Sequence, residues 1–208
     1  IITRKAKDTQ GAVVAGHATT AGQYEGAMRY GGQAGADAFY RVYAKYFDRD
    51  GFVDRFDEDT FTDWQAFQAG FRFDADVSTD DKITVQGDVA SGRYEDVQSV
   101  FTPSTLLIQS VEDTIDVMGA DLVGRWTHDF GGDDGEISVQ LYWDHTERKI
   151  ITLDHELDTF DLDFTWALPC GDDHSIVWGF GYRFQASRSE STATIGFSPE
   201  DRDIHLFT

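Results

Sequence analysis

The residues best equipped for chemistry in this chain are carboxylates. In the stretch KYFDRDGFVDRFDED, Lys45 to Asp59, six acids surround Gly51: Asp48, Asp50, Asp54, Asp57, Glu58 and Asp59. Oxygen ligands around a glycine turn are the chemistry of a calcium loop, and with Gly51 at the sixth position Asp48, Asp50, Val53 and Asp54 fall where an EF-hand requires them. Two features oppose that reading. Tyr46 occupies the first ligand position, and Asp57 replaces the bidentate Glu. The flank is also wrong, because Tyr40, Val42, Ala44 and Tyr46 alternate with Arg41, Tyr43 and Lys45 as a strand, whereas an EF-hand needs a helix there. The stretch reads as the rim of a strand turning into a surface loop.

Three further clusters, Asp144 to Glu147 (DHTE), Asp154 to Glu156 (DHE) and Asp172 to His174 (DDH), combine imidazole with carboxylates in a way that suits metal ligation. None has the helical spacing of HExxH, and adjacent residues on a strand point to opposite faces. Polar turn chemistry is therefore the expectation, with no metal site. Asp161 and Asp163 share one face, as a glycosidase pair does, yet a polar strand face explains them without a catalytic role. No nucleophile elbow, P-loop or dinucleotide fingerprint is present. No catalytic residue and no cofactor are assigned.

What must position these residues is a single unit of 208 residues, long enough for a sizeable core. A net charge of -21, from 17 basic and 38 acidic residues, argues against nucleic acid, whose phosphates require a cationic face. One cysteine, Cys170, excludes an internal disulfide framework. No apolar run reaches the roughly 18 to 20 residues of a membrane helix. The opening IITRKAKDTQG and the closing DIHLFT both read as interrupted strands, which predicts a fragment cut at both ends.

Hydrophobic periodicity is two throughout. Ile83, Val85, Gly87 and Val89 oppose Thr84, Gln86 and Asp88, and Ile137, Val139, Leu141 and Trp143 oppose Ser138, Gln140, Tyr142 and Asp144. Phe160, Leu162, Phe164 and Trp166 oppose Asp161, Asp163 and Thr165, and Trp178, Phe180 and Tyr182 oppose Gly179, Gly181 and Arg183. Counting FYRVYAKYF, WQAFQAGFRFDA and weaker runs at GAVVAGHAT, YEGAMRYG and ADLVGRWTHDF, this predicts about nine or ten strands of roughly nine to eleven residues and no significant helix.

The connections alternate in length. Short, Gly- and Asp-rich turns at GGQAGAD, VSTDD, FGGDDG and PCGDD separate long segments at Asp48 to Asp63, Gly92 to Met118, Glu147 to Asp158 and Ser187 to Asp203. In an up-and-down sheet, alternate connections lie at one end, so one end carries tight turns and the other long loops. That asymmetry belongs to an outer-membrane β-barrel. Trp64, Phe73, Trp126, Trp143, Trp166, Trp178 and Tyr182 are expected on the apolar faces as membrane girdles. Arg41, Arg72, Asp88, Arg125, Asp144, Asp161, Asp163 and Arg183 are expected to line a wet lumen, with Gly179 and Gly181 leaving room for a plug.

These residues resemble a known family. IITRKAKDTQGAVVAG resembles the junction between the plug and the first barrel strand of TonB-dependent outer-membrane receptors, and FYRVYAKYFDRDGFVD, ADLVGRWTHDF, SVQLYWDHTER, DTFDLDFTWAL and IVWGFGYRF resemble its consecutive barrel strands. The resemblance implies an all-β, antiparallel up-and-down transmembrane barrel, partial, with the plug end at 1–11 and the N-terminal part of the barrel at 12–208. It implies energised uptake of a scarce nutrient such as a ferric siderophore or cobalamin, driven through a TonB complex, in the outer membrane of a Gram-negative bacterium. The TonB box, most of the plug and more than half of the family's strands are missing from the sequence, so a whole transporter is not expected from it alone. Outer-membrane lipid and lipopolysaccharide are the implied surroundings. Two alternatives remain open: a passive porin-like barrel, and a soluble acidic carbohydrate-binding module whose apolar faces meet in a core. The candidate ligand contacts are Asp48, Arg49 and Arg55 in one loop and Tyr94 in the next, as charged or aromatic side chains facing a vestibule.

Overall fold

The computed structural model describes residues 3–20, 22–53, 55–56, 60–102, 107–131, 135–171, 174–192 and 194–208. Ten strands follow one another in a single antiparallel sheet whose spatial order is the chain order. They are β1 (Gly11–Ala18), β2 (Gln23–Gln33), β3 (Ala38–Arg49), β4 (Trp64–Asp76), β5 (Asp81–Thr102), β6 (Leu107–Asp129), β7 (Glu136–Ile150), β8 (Leu153–Cys170), β9 (His174–Glu190) and β10 (Asp201–Phe207). One 3₁₀ turn, Ala6–Thr9, is the sole helical element among the described residues. β1 and β10 do not pair, so the sheet is open, an up-and-down partial barrel wall.

Period-two patterning decides this architecture, because a register slip of one residue would exchange the two faces along a whole strand. Cross-strand partners keep the faces distinct: Tyr43 faces Gly70, which faces Asp88, which faces Asp121, which faces Asp144. This is the polar face. On the other face Phe71, Gly87, Leu122, Trp143 and Phe160 follow in the same way. On β8 the apolar run from Phe160 to Leu168 spans nine residues, about 30 Å of strand, which matches the hydrocarbon height that a tilted barrel strand must cross.

The apolar face has no protein partner. Ala6 and Ile115 are the only buried hydrophobic residues among the described ones, while Val14, Met28, Leu141, Phe160 and Phe180 are about half exposed or more. Fully burying one such side chain is worth roughly 1.5 to 3 kcal/mol. Leaving this face to water therefore costs on the order of 10 kcal/mol, as much as the net stability of a typical domain. A soluble sandwich, with two apolar faces meeting in a core, is not what the chain forms.

Three expectations require correction. Gly92 to Met118 and Glu147 to Asp158 are not loops: β5 and β6 run for 22 and 23 residues, paired as far as Thr102 and Leu107, and β7 and β8 stay paired to Ile150 and Leu153. Above the apolar band polar and apolar residues mix on both faces of the β5–β6 hairpin, as at Glu95 and Asp96 beside Val97 and Phe101, so hydrophobic alternation fades although the ladder continues. The end-to-end asymmetry persists, with tight turns such as Asp76 to Asp81, closed by the Val77 amide donating to the Asp81 carbonyl at 2.9 Å, at one end and tall hairpins at the other.

The second correction concerns Trp64. It pairs with Arg49 and Tyr94 and shares the parity of Ala66 and Gln68, which places it on the polar face. The room expected at Gly179 and Gly181 is also taken within the sheet: a side chain at Gly179 would meet the Phe164 carbonyl, and one at Gly181 would meet the Thr208 hydroxyl.

Candidate ligand-facing surface

The polar face is organised at two levels. At the turn end, the N-terminal segment lies against it. Arg72 is the hub, holding Asp74 through Nη2 and Oδ1 at 2.8 Å and donating from Nη1 to Thr3 Oγ1 at 2.7 Å and Gln86 Oε1 at 2.9 Å. Asp74 in turn accepts from the Ala6 amide at 2.6 Å and the Thr84 hydroxyl at 2.9 Å, and Arg41 donates to the Arg4 carbonyl at 3.1 Å. Charge-assisted bonds of this kind are about twice as strong as neutral ones. Gly31 on β2 admits the segment, because any Cβ there would run into the Thr9 carbonyl.

At the hairpin end, cations and aromatic rings form a belt across four strands. Arg49, Trp64 and Tyr94 are successive ladder partners on β3, β4 and β5. The Arg49 guanidinium lies 4.6 Å from the Trp64 ring centroid and 5.4 Å from that of Phe47, and the Phe47 and Trp64 rings meet edge to face at 4.6 Å. Arg148 on β7 donates to the Tyr94 hydroxyl at 2.7 Å. Planar guanidinium beside aromatic faces suits ligands that carry negative charge, ring systems or both.

Of the four expected contacts, Arg49 and Tyr94 are brought together in this belt, although both stand on strands rather than in loops. Asp48 is also the end of a strand but faces the apolar side, 3.2 Å from the Tyr46 hydroxyl. Arg55 stacks on Phe56 at 4.5 Å in the turn beyond β3. Asp54, Asp57, Glu58 and Asp59, the acids of the calcium-like run, lie outside the described residues. Asp63 and Thr62, later in the same loop, bind the Gly51 and Phe52 amides at 2.5 and 2.9 Å and so tie the loop ends together. Trp64 and Arg148 are the members that residue-type reasoning missed. Strand parity was available for Trp64, whereas the reach of Arg148 to Tyr94 depends on the pairing of three hairpin strands.

The other clusters separate by face. Asp161 is engaged by Arg183, Nε to Oδ2 at 2.7 Å, and Asp163 sits beside it on the same polar wall. Asp144 faces the polar side while His145 faces the apolar side, where β8 brings Glu156 and Asp158 next to it. Asp172 and Asp173 lie outside the described residues.

The match that bears on this wall is one of shape. No family model and no curated protein matches the chain. Among solved structures, the ferripyoverdine receptor of the outer membrane of Pseudomonas aeruginosa, bound to ferripyoverdine, superposes with a TM-score of 0.61 at 16% identity, covering 86% of this chain and 28% of the receptor. The fold is that of an outer-membrane receptor wall. P. aeruginosa FpvA bound to a heterologous pyoverdine–iron complex superposes with a TM-score of 0.59 at 14% identity, covering 92% of this chain and 29% of that one. The chain thus spans less than a third of the receptors it matches.

Proposed function

We propose that this chain is part of a TonB-dependent outer-membrane receptor of a Gram-negative bacterium, taking up a scarce nutrient carried as a ferric siderophore, cobalamin or a similar small molecule. The observation that carries the reading is the sidedness of the wall: a naked apolar face, a wet polar face and a terminal segment docked on the polar one, in a sheet shaped like that of a ferripyoverdine receptor. Residues 1–11 are read as the plug end and 12–208 as barrel. The belt of Arg49, Trp64, Tyr94 and Arg148 lies on the lumen side near the entrance, where an incoming ligand would first meet the wall. Its role is binding, with no covalent step.

The docked segment also separates this reading from a passive porin, because Arg72 and Asp74 are spent on holding the residues that would lead out of a plug. The decisive experiment is uptake by cells carrying the whole receptor, with the gene disrupted as control. Radiolabelled ferric siderophore is expected to enter only in the intact strain, and collapse of the proton gradient is expected to abolish entry. Uptake that survives that collapse would assign a passive pore instead.

A further inference from the structure

The lipid-side cluster at the upper edge of the apolar band has no part in the transport reading. On β7 the outward residues run Leu141, Trp143, His145, and on β8 they run Leu162, Phe160, Asp158, Glu156, so the cluster occupies the first polar level beyond the band. His145 and Asp158 are direct ladder partners, with Nδ1 and Oδ1 3.1 Å apart. Glu156 follows two residues on, and one ligand atom from each of the three residues falls within 4.8 Å of the others.

We propose that His145, Glu156 and Asp158 form a binding site for a borderline divalent cation, with Zn²⁺ as its representative. One imidazole nitrogen and two carboxylates make a donor set that suits Zn²⁺, whereas Ca²⁺ and Mg²⁺ prefer oxygen alone. Ligand atoms around a tetrahedral zinc stand about 3.3 Å apart given bonds near 2.0 to 2.1 Å. The His145 to Asp158 separation, 3.1 Å, is close to it, and Glu156 already brings an oxygen within 4.8 Å of both. The backbone is fixed by the ladder, which holds the three Cα positions without any help from the metal. Supporting contacts are in place as well. Trp143 Nε1 donates to Asp158 Oδ1 at 3.2 Å, the same oxygen that His145 engages, and so orients that carboxylate. Arg188, the ladder partner of Glu156, turns instead to Glu190 at 3.4 Å and Asp201 at 4.0 Å. Three protein ligands leave coordination positions open toward the outside of the wall. The cation links β7 to β8 where the lipid side becomes polar.

The test is calorimetric titration of ZnCl₂ into the chelator-treated, full-length protein in detergent, with far-UV circular dichroism to verify the sheet in every variant. A saturable component is expected that His145→Ala and Glu156→Gln each weaken by about tenfold or more. Glu156→Gln is the safeguard against misfolding, since His145 and Asp158 bond to each other. His155, on the lumen side of the same strand and bonded to Ser189, provides the control, and His155→Ala is expected to leave that component within about twofold. An isotherm unchanged by His145→Ala and Glu156→Gln, an equal loss in His155→Ala, or no saturable binding would overturn the site.

Discussion

Trp64 shows how parity outweighs residue type. A tryptophan at a strand end invites a place in a membrane girdle, but stepping back by twos from Gln68 through Ala66 leads to Trp64, on the side that Phe71 and Phe67 avoid. Its stacking with Arg49 has a direct consequence for the proposed function. If the belt binds a ferric siderophore as proposed, Trp64→Ala and Arg49→Ala are each expected to weaken that binding roughly tenfold, the scale of one lost aromatic or cation–π contact of about 1 to 2 kcal/mol. Asp48→Ala, on the apolar face, is expected to leave affinity unchanged, and equilibrium binding of a ferric siderophore to the full-length protein distinguishes the three. A second residue-scale effect involves Glu200, whose carboxylate accepts from the Ser191 amide at 3.0 Å. Bonding to the Ser191 side chain and amide holds its pKa below the ordinary value of 4.5. A lowered folded pKa means that the contribution is complete above the unfolded value and is lost as pH falls through the folded one. The protection of the Ser191 amide against hydrogen exchange, taken relative to its intrinsic rate at each pH, is expected to fall on that acidification and in Glu200→Ala at neutral pH.

At the scale of elements, the terminal segment and the hairpins respond to different forces. The segment at residues 3–10 is held by few, charge-assisted bonds centred on Arg72 and Asp74, so Arg72→Ala is expected to free it while the sheet persists. A cysteine placed at Lys7 then reacts with a water-soluble maleimide at least several times faster than in the parent protein. Gly31→Val is expected to do the same by steric exclusion at Thr9, with a cost of about 1 to 3 kcal/mol. Strands whose two faces differ in polarity were legible from alternation alone, and this covers most of β3, β4, β8 and β9 and the lower halves of β5 to β7. The upper halves of β5 and β6 were not, because Asp96, Gln98, Glu112 and Asp113 place polar groups on both sides and period two has nothing to register. There the backbone ladder carries the strand onward, with Ile115 as its one buried hydrophobic side chain among the described residues. The candidate belt was legible to the same extent: Arg49 and Tyr94 stood out by type, while their junction through Trp64 and Arg148 required the pairing of β3 with β4, β5 and the β6–β7 hairpin.

For the whole molecule, the central claim is that one face of the sheet meets hydrocarbon and the other meets water. A charge placed on the lipid side near mid-height, as in Leu141→Arg, is expected to destabilise the barrel by about 2 to 4 kcal/mol in denaturant titration from liposomes. Thr165→Arg, on the lumen side, is expected to cost far less. The most direct measurement scans nitroxide labels along β7 from Ile137 to Lys149 in lipid bilayers, recording collision with oxygen and with a water-soluble nickel complex. Positions 137, 139, 141 and 143 are expected to favour oxygen, 138, 140, 142 and 144 to favour the nickel complex, and the alternation to vanish from His145 upward, where both faces meet water. Equal access of the nickel complex to odd and even positions below His145 would contradict the account.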